Sequence, residues 1–205
     1  MTRLFVKICG ISTPDAAAAV ANSGADAIGF VFAPGSPRLV SADRARMIVA
    51  DLPESIETVG VFRNQPIEEV LAIAQSSGVT TVQLHGDETD AEFERVQAEG
   101  FGTIRAISVN DFRRRSRAGE LRTADRLLID AVTPGGGATF DPALLAGTPL
   151  PDSWILAGGL SPDNVAELVR TVHPGGVDVS SGVEASRGVK DVDLIRAFVA
   201  EARSI

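Results

Sequence analysis

One cysteine, Cys9, is all that 205 residues contain, so the chain cannot close an internal disulfide and nothing implies an oxidising compartment. Nor does any apolar stretch approach the roughly 20 residues that a bilayer span needs. Met1-Thr2-Arg3 leads into a short apolar run that reads as a strand and lacks the length and small-residue cleavage pattern of a signal peptide. We therefore expect a cytoplasmic protein with no membrane partner. Positive charge is scarce too: 19 Lys and Arg against 27 Asp and Glu leave a formal net charge of −8. Nucleic-acid-binding domains carry a basic face. The one basic cluster here, Arg113-Arg114-Arg115 with Arg117, has only Phe112 close by as a stacking partner and reads as a solvated helix face, so no nucleic-acid partner is expected. His85 and His173 lie far apart and no cysteine pair exists, so metal-ligand spacing is missing. Neither a P-loop nor a dinucleotide-binding glycine fingerprint occurs.

What the chain does have is 44% apolar residues and 20 glycines, enough for a sizeable core. Apolar runs of strand length recur at 4–8, 27–32, 58–62, 80–84, 103–107, 126–129, 154–157 and 177–180, each followed by helix signals. Thr13-Pro14 and Ser161-Pro162 set an N-cap residue before a first-turn proline. Thr89 with Glu92 fits a capping box. Gly24, Gly78 and Gly100 fall where helices should stop. After Phe112 the pattern weakens, because Gly119 breaks a polar, arginine-rich stretch. Strands alternating with helices predict a parallel sheet with right-handed crossovers. Eight units predict a single-domain (β/α)8 TIM barrel over residues 1–205, at the short end of that fold's range. The alternative, an open doubly wound sheet, needs only about five or six units.

In such a barrel the strand C-termini carry the chemistry, and phosphate binds in the loops after strands seven and eight. Side chains alternate along a strand. In the first run Val6 and Ile8 therefore face one way, while Lys7 and Cys9 share the other face, which leads into a site; alternatively Cys9 is a small buried apolar residue. In the fourth, Gln83 and His85 face the interior; His85 could be an acid or base, or a hydrogen-bonded structural histidine. The sixth ends in Asp130, a carboxylate at a strand terminus or a cap on the following turn. In the eighth, Asp178 and Ser180 face in. Gly158-Gly159 and Ser180-Ser181-Gly182 stand at the two phosphate-binding loops, where glycine lets backbone N–H groups approach an anion. Together they point to a phosphorylated small molecule. Gly135-Gly136-Gly137 reads as a mobile loop. Arg38, after the second run, offers a planar fork for a carboxylate, or is simply solvated.

In order along the chain, Lys7-Ile8-Cys9-Gly10, Ser36-Pro37-Arg38, Val82-Gln83-Leu84-His85-Gly86, Leu128-Ile129-Asp130, Ala157-Gly158-Gly159-Leu160 and Val177-Asp178-Val179-Ser180-Ser181-Gly182-Val183-Glu184 resemble the phosphoribosylanthranilate isomerases of tryptophan biosynthesis. The resemblance runs nearly end to end. It implies a (β/α)8 barrel, monomeric or homodimeric, that uses neither metal nor organic cofactor. The reaction it implies is an Amadori rearrangement of N-(5-phosphoribosyl)anthranilate to 1-(2-carboxyphenylamino)-1-deoxyribulose 5-phosphate. Cys9 would be the general base and Asp130 the general acid. Arg38 would hold the anthranilate carboxylate, and Gly158, Gly159, Ser180, Ser181 and Gly182 the phosphate. Lys7, Gln83, His85 and Asp178, on the same interior face, complete the expected substrate-binding set.

This chemistry needs Asp130 shifted upward by burial and Cys9 shifted downward, since a free thiol is near pKa ~8.5 and a free aspartate near ~3.9. Lys7, on the same strand face, is expected to help lower Cys9. In one respect the chain departs from the family: the loop at 131–139 before Phe140-Asp141-Pro142 is shorter than usual and lacks the tryptophan that commonly follows. Three rival readings remain. The related barrel isomerase of histidine biosynthesis would carry aspartate where Cys9 stands. An aldolase would use Lys7 as a Schiff-base amine, and a non-catalytic phosphosugar-binding barrel would have lost the acid or the base.

Overall fold

The alternation read in the sequence sorts each strand's side chains to the two sides of one closed sheet. The computed structural model describes residues 3–120, 126–130, 142–145, 147–148, 150–151 and 154–205. In chain order the strands are β1 (Phe5–Cys9), β2 (Ala27–Val31), β3 (Glu57–Phe62), β4 (Thr81–Leu84), β5 (Gly102–Ser108), β6 (Arg126–Asp130), β7 (Trp154–Ala157) and β8 (Gly176–Val179). Each pairs in parallel with the next, and β8 pairs with β1 to close the ring. The open doubly wound alternative is thereby set aside.

Helices α1 (Pro14–Ser23), α2 (Ala42–Ala50), α3 (Ile67–Ser77), α4 (Asp90–Ala98) and α5 (Val109–Ala118) follow the first five strands. Two more, α6 (Val165–Val172) and α7 (Val192–Arg203), follow β7 and β8. After β6 the described residues hold only a 3₁₀ turn, Pro142–Leu145, in place of the expected helix. The 131–139 stretch with Gly135-Gly136-Gly137 lies outside the described residues. Among the described residues no helix is long and apolar enough to cross a membrane.

The local signals mostly act as expected. Thr13 accepts a hydrogen bond from the Ala16 N–H ahead of Pro14, and Thr89 and Glu92 form the capping box. Gly119 ends α5 rather than breaking it, as its left-handed C-cap. At Ser161-Pro162 the expectation fails, because α6 begins only at Val165. The Asn164 side chain accepts from the Ser161 N–H at 2.8 Å and donates to the Gly159 carbonyl at 2.9 Å. It thus ties the glycine turn to the helix start and delays the first regular turn.

Val6, Ile8, Val82, Leu84, Val177 and Val179 pack outward beneath the helices. On α7, Ile195, Phe198, Val199 and Ala202 form a buried apolar stripe on the side of β1. Inside the ring polar side chains stand among the apolar layers usual in this fold. Lys7, Thr81, Gln83 and Asp178 are buried there, beside Val59, Ile104, Ala106, Leu128 and Ile155. Arg126 closes the floor, its Nη1 donating to Glu57 Oε2 at 2.8 Å and its guanidinium 4.9 Å over the Phe5 ring. Buried charges persist only when paired, as Lys7 and Asp178 are here.

Candidate active site

All eight strands point their C-termini at one end, where a cavity of about 390 Å³ opens. Cys9, Arg38, Gln83, His85, Asp130, Gly158, Gly159, Asp178, Ser180 and Ser181 line it. Of the residues expected from the sequence, only Lys7 and Gly182 stand behind the wall. Gly182 backs onto the preceding loop: a Cβ there would lie 1.8 Å from the Leu160 carbonyl oxygen, so the two expected phosphate loops touch through bare backbone.

Cys9 ends β1 and is 7% exposed. Its neighbour on β2 is Gly29, and a Cβ there would lie 2.9 Å from Sγ. The Ser180 hydroxyl donates to the Cys9 carbonyl at 3.1 Å. Burial is the largest influence on the thiol and pushes it up, while Lys7 and Lys190 pull it down; the net direction is upward. This corrects the expected depression. Lys7 acts in the direction anticipated, but removing a thiolate from water outweighs it.

Lys7, expected in the substrate-binding set from its strand face, sits deeper than the cavity lining. Its side chain is wholly buried, and Nζ donates to Asp178 Oδ1 at 2.8 Å, beneath the cavity rather than in it. Burial pulls the ammonium down, but Asp178 and Cys9 together hold it above the ordinary lysine range. The lysine therefore keeps its proton and forms a buried ion pair. The strand pattern reports which face a side chain takes, not how deep it ends.

Asp130 ends β6 with 17% of its side chain exposed, and Oδ2 stands 3.6 Å from His85 Nε2. On the other side of that ring, Gln83 Nε2 is 3.5 Å from Nδ1. Gln83 Oε1 is buried without a hydrogen-bond partner among the described residues. An acceptor so placed costs about 1–3 kcal/mol until something donates to it.

Arg38 does not offer an empty fork. Its Nε donates to Glu184 Oε1 at 2.6 Å and its Nη2 to Oε2 at 3.0 Å. This pairing leaves the Nη1–Nη2 edge unused, on a residue that lines the cavity. Glu184 opens a short hairpin after β8, β9 (Glu184–Ser186) against β10 (Val189–Lys190). Lys190, at the far end of that hairpin, donates to Glu184 Oε1 at 2.9 Å and to the Ser180 carbonyl at 2.7 Å. Glu184 also accepts from the Gly188 N–H at 3.0 Å. Burial would raise its pKa, yet Arg38, Gly188 and Lys190 hold it down at about 2.

Sequence reading gave no role to Glu184 or Lys190, nor to Arg63 and Arg187, which also line the cavity. Glu184 closes the quoted stretch after β8, but it and Lys190 become partners only once the hairpin folds.

Residues 6–201 match the sequence model of the family described as N-(5'-phosphoribosyl)anthranilate (PRA) isomerase. A protein of Neisseria meningitidis serogroup B named N-(5'-phosphoribosyl)anthranilate isomerase is 42% identical over 212 residues, covering 100% of this chain and 99% of its own. The crystal structure of phosphoribosyl anthranilate isomerase from Thermotoga maritima superposes with a TM-score of 0.87 at 38% identity, covering 98% of this chain and 100% of its own. A further solved isomerase of that name, in complex with reduced 1-(o-carboxyphenylamino)-1-deoxyribulose 5-phosphate, has a TM-score of 0.84 at 37% identity and covers 98% of this chain and 100% of its own.

Proposed function

The chain belongs to the N-(5'-phosphoribosyl)anthranilate isomerase family, and from that premise we propose how its own residues carry the reaction. It is an isomerase of tryptophan biosynthesis acting on phosphoribosylanthranilate. In our reading the whole of 1–205 serves as one catalytic domain, in the cytoplasm. Asp130 is the general acid, Cys9 the general base, and Arg38 the carboxylate ligand. Gly158, Gly159, Ser180, Ser181 and Gly182 hold the phosphate. The observation that carries this is the common cavity lined by Cys9, Asp130, Arg38 and both glycine-containing loops.

The protonated carboxyl of Asp130 gives its proton to the furanose oxygen as the C1–O bond opens, leaving an iminium between C1 and the anthranilate nitrogen. The Cys9 thiolate then takes the C2 proton, and the resulting enolamine tautomerises to the ketose. No atom is gained or lost. Each transfer is worth about 10²–10⁴-fold. Because burial raises the resting thiol, Lys7 and Lys190 are the two cations that favour the thiolate. Gln83 Oε1, which has no donor among the described residues, suits a hydroxyl of the sugar.

The test is turnover of freshly made phosphoribosylanthranilate, followed by loss of its fluorescence, beside an assay on the aminoaldose of the histidine pathway. Turnover of the first alone is expected. Turnover of both would make this a dual-substrate barrel, and turnover of neither by folded, product-binding protein would favour the non-catalytic reading.

A further inference from the structure

The expected carboxylate ligand is an arginine already engaged by a carboxylate of the chain itself. Glu184 closes on the Nε–Nη2 edge of Arg38 at 2.6 and 3.0 Å. A guanidinium has five N–H donors in a rigid fork. After this pairing the Nη1–Nη2 edge still offers two parallel donors, which is what an aryl carboxylate accepts in a two-point contact. Left alone, an arginine side chain at the cavity mouth would sample many rotamers, and ordering it would weaken binding by the entropy lost. Here it is held before any ligand arrives.

The clamp is anchored. The Glu184 side chain is 4% exposed and that of Lys190 3%. Lys190 ties it to the Ser180 carbonyl, and Gly188 donates a backbone N–H to Oε2. From the other side Arg38 packs against Gly10, the residue after β1, where a Cβ would lie 2.6 Å from its Cδ. Gly188 in turn fits under the Arg38 loop, where a Cβ would meet the Pro37 carbonyl at 2.6 Å. Two cations on one carboxylate also leave net positive charge at a spot that must attract an anion.

We propose that Glu184 is a positioning residue for substrate recognition: with Lys190 behind it, it orients Arg38 so that the free guanidinium edge meets the anthranilate carboxylate. This rests on the reading of Arg38 as the carboxylate ligand. The residue touches no reacting atom, and its effect should pass entirely through Arg38.

Steady-state kinetics of Glu184→Gln, Arg38→Met and the double variant test it, with inorganic phosphate as a competitive probe of the other end of the site. Glu184→Gln should raise KM about tenfold or more with kcat within about threefold, the pattern of lost uniform binding. The inhibition constant of phosphate should not move. The double variant should match Arg38→Met alone, because residues acting through one contact are not additive. An unchanged KM in Glu184→Gln while Arg38→Met raises it overturns the proposal and leaves Arg38 in place. An unchanged KM in Arg38→Met removes the reading beneath it. Weaker phosphate inhibition with additive losses would make Glu184 merely structural, and also overturns it. Should Glu184→Gln not fold, Glu184→Asp keeps the charge that Lys190 requires but withdraws the carboxylate by one methylene. It should raise KM by a smaller factor, and no rise would overturn the proposal.

Discussion

Gly29 and Cys9 are direct partners across β2 and β1, so close that a methyl group on the glycine would sit 2.9 Å from the thiol sulfur and 3.1 Å from its Cα. The glycine makes the pocket in which the proposed base lies. The same residue's carbonyl accepts the N–H groups of Gly10 and Ile11, each at 2.9 Å, so neither strand can slide aside. Gly29→Ala should therefore move Sγ, at a stability cost of about 1–3 kcal/mol for overpacking, and cut kcat well beyond KM. Urea unfolding beside steady-state kinetics checks this. Native kcat in the variant would show that the sulfur's position is not critical.

Cys9→Ser and Asp130→Asn should each lower kcat by about 10²-fold or more while binding of a reduced product analogue stays near wild type. Turnover assays and calorimetric titration of that analogue measure the two separately. Near-native turnover in either variant would remove that residue from its role.

Gly182→Ala tests the other end of the site. Its Cβ would fall 1.8 Å from the Leu160 carbonyl oxygen, so the two phosphate loops must part. KM should rise and inorganic phosphate should inhibit more weakly, with kcat less affected.

Lys7→Met leaves Asp178 buried without its partner, and breaking a buried pair in this way costs about 3–5 kcal/mol. Lys7→Met with Asp178→Leu should recover part of that loss. In the single variant the Cys9 thiol should titrate higher still, because the pull of Lys7 on it exceeds the push of Asp178. The pH dependence of iodoacetamide alkylation reads this directly, and an unchanged titration would exclude Lys7 from tuning the base.

Acid should expose the Glu184 clamp. Its pKa is lowered in the folded chain from 4.5 to about 2, so its contribution is complete above the ordinary value. That contribution disappears as pH falls from about 4.5 toward 2. Glu57, held down by Arg126 and Thr81 against its burial, acts in the same direction. Urea midpoints should drop across that window in the wild type, and less steeply in Glu184→Gln.

Much of this was open to reading along the chain because it depends on neighbours in sequence. Strand alternation placed Val6 and Ile8 outward and Cys9 inward, and it placed Gln83, Asp178 and Ser180 inside the barrel mouth. Thr13-Pro14 and the Thr89–Glu92 box started their helices. Eight repeats of one pattern favoured the ring over an open doubly wound sheet, which needs only about five or six units. The fold family's rule about strand C-termini then located the site.

Contacts between distant residues were not open to it. Lys7 meets Asp178 across 171 positions and Arg38 meets Glu184 across 146. No local periodicity encodes either, because both exist only once the ring closes. The charge state of Cys9 follows the same division. The sequence put a lysine beside the thiol and so favoured a lowered pKa, whereas burial, a property of the whole assembled barrel, reversed the direction. Sequence alone determined which face of its strand each interior residue takes. The tertiary structure decided which of those charges are already paired, because pairing and desolvation depend on distance in space rather than position along the chain.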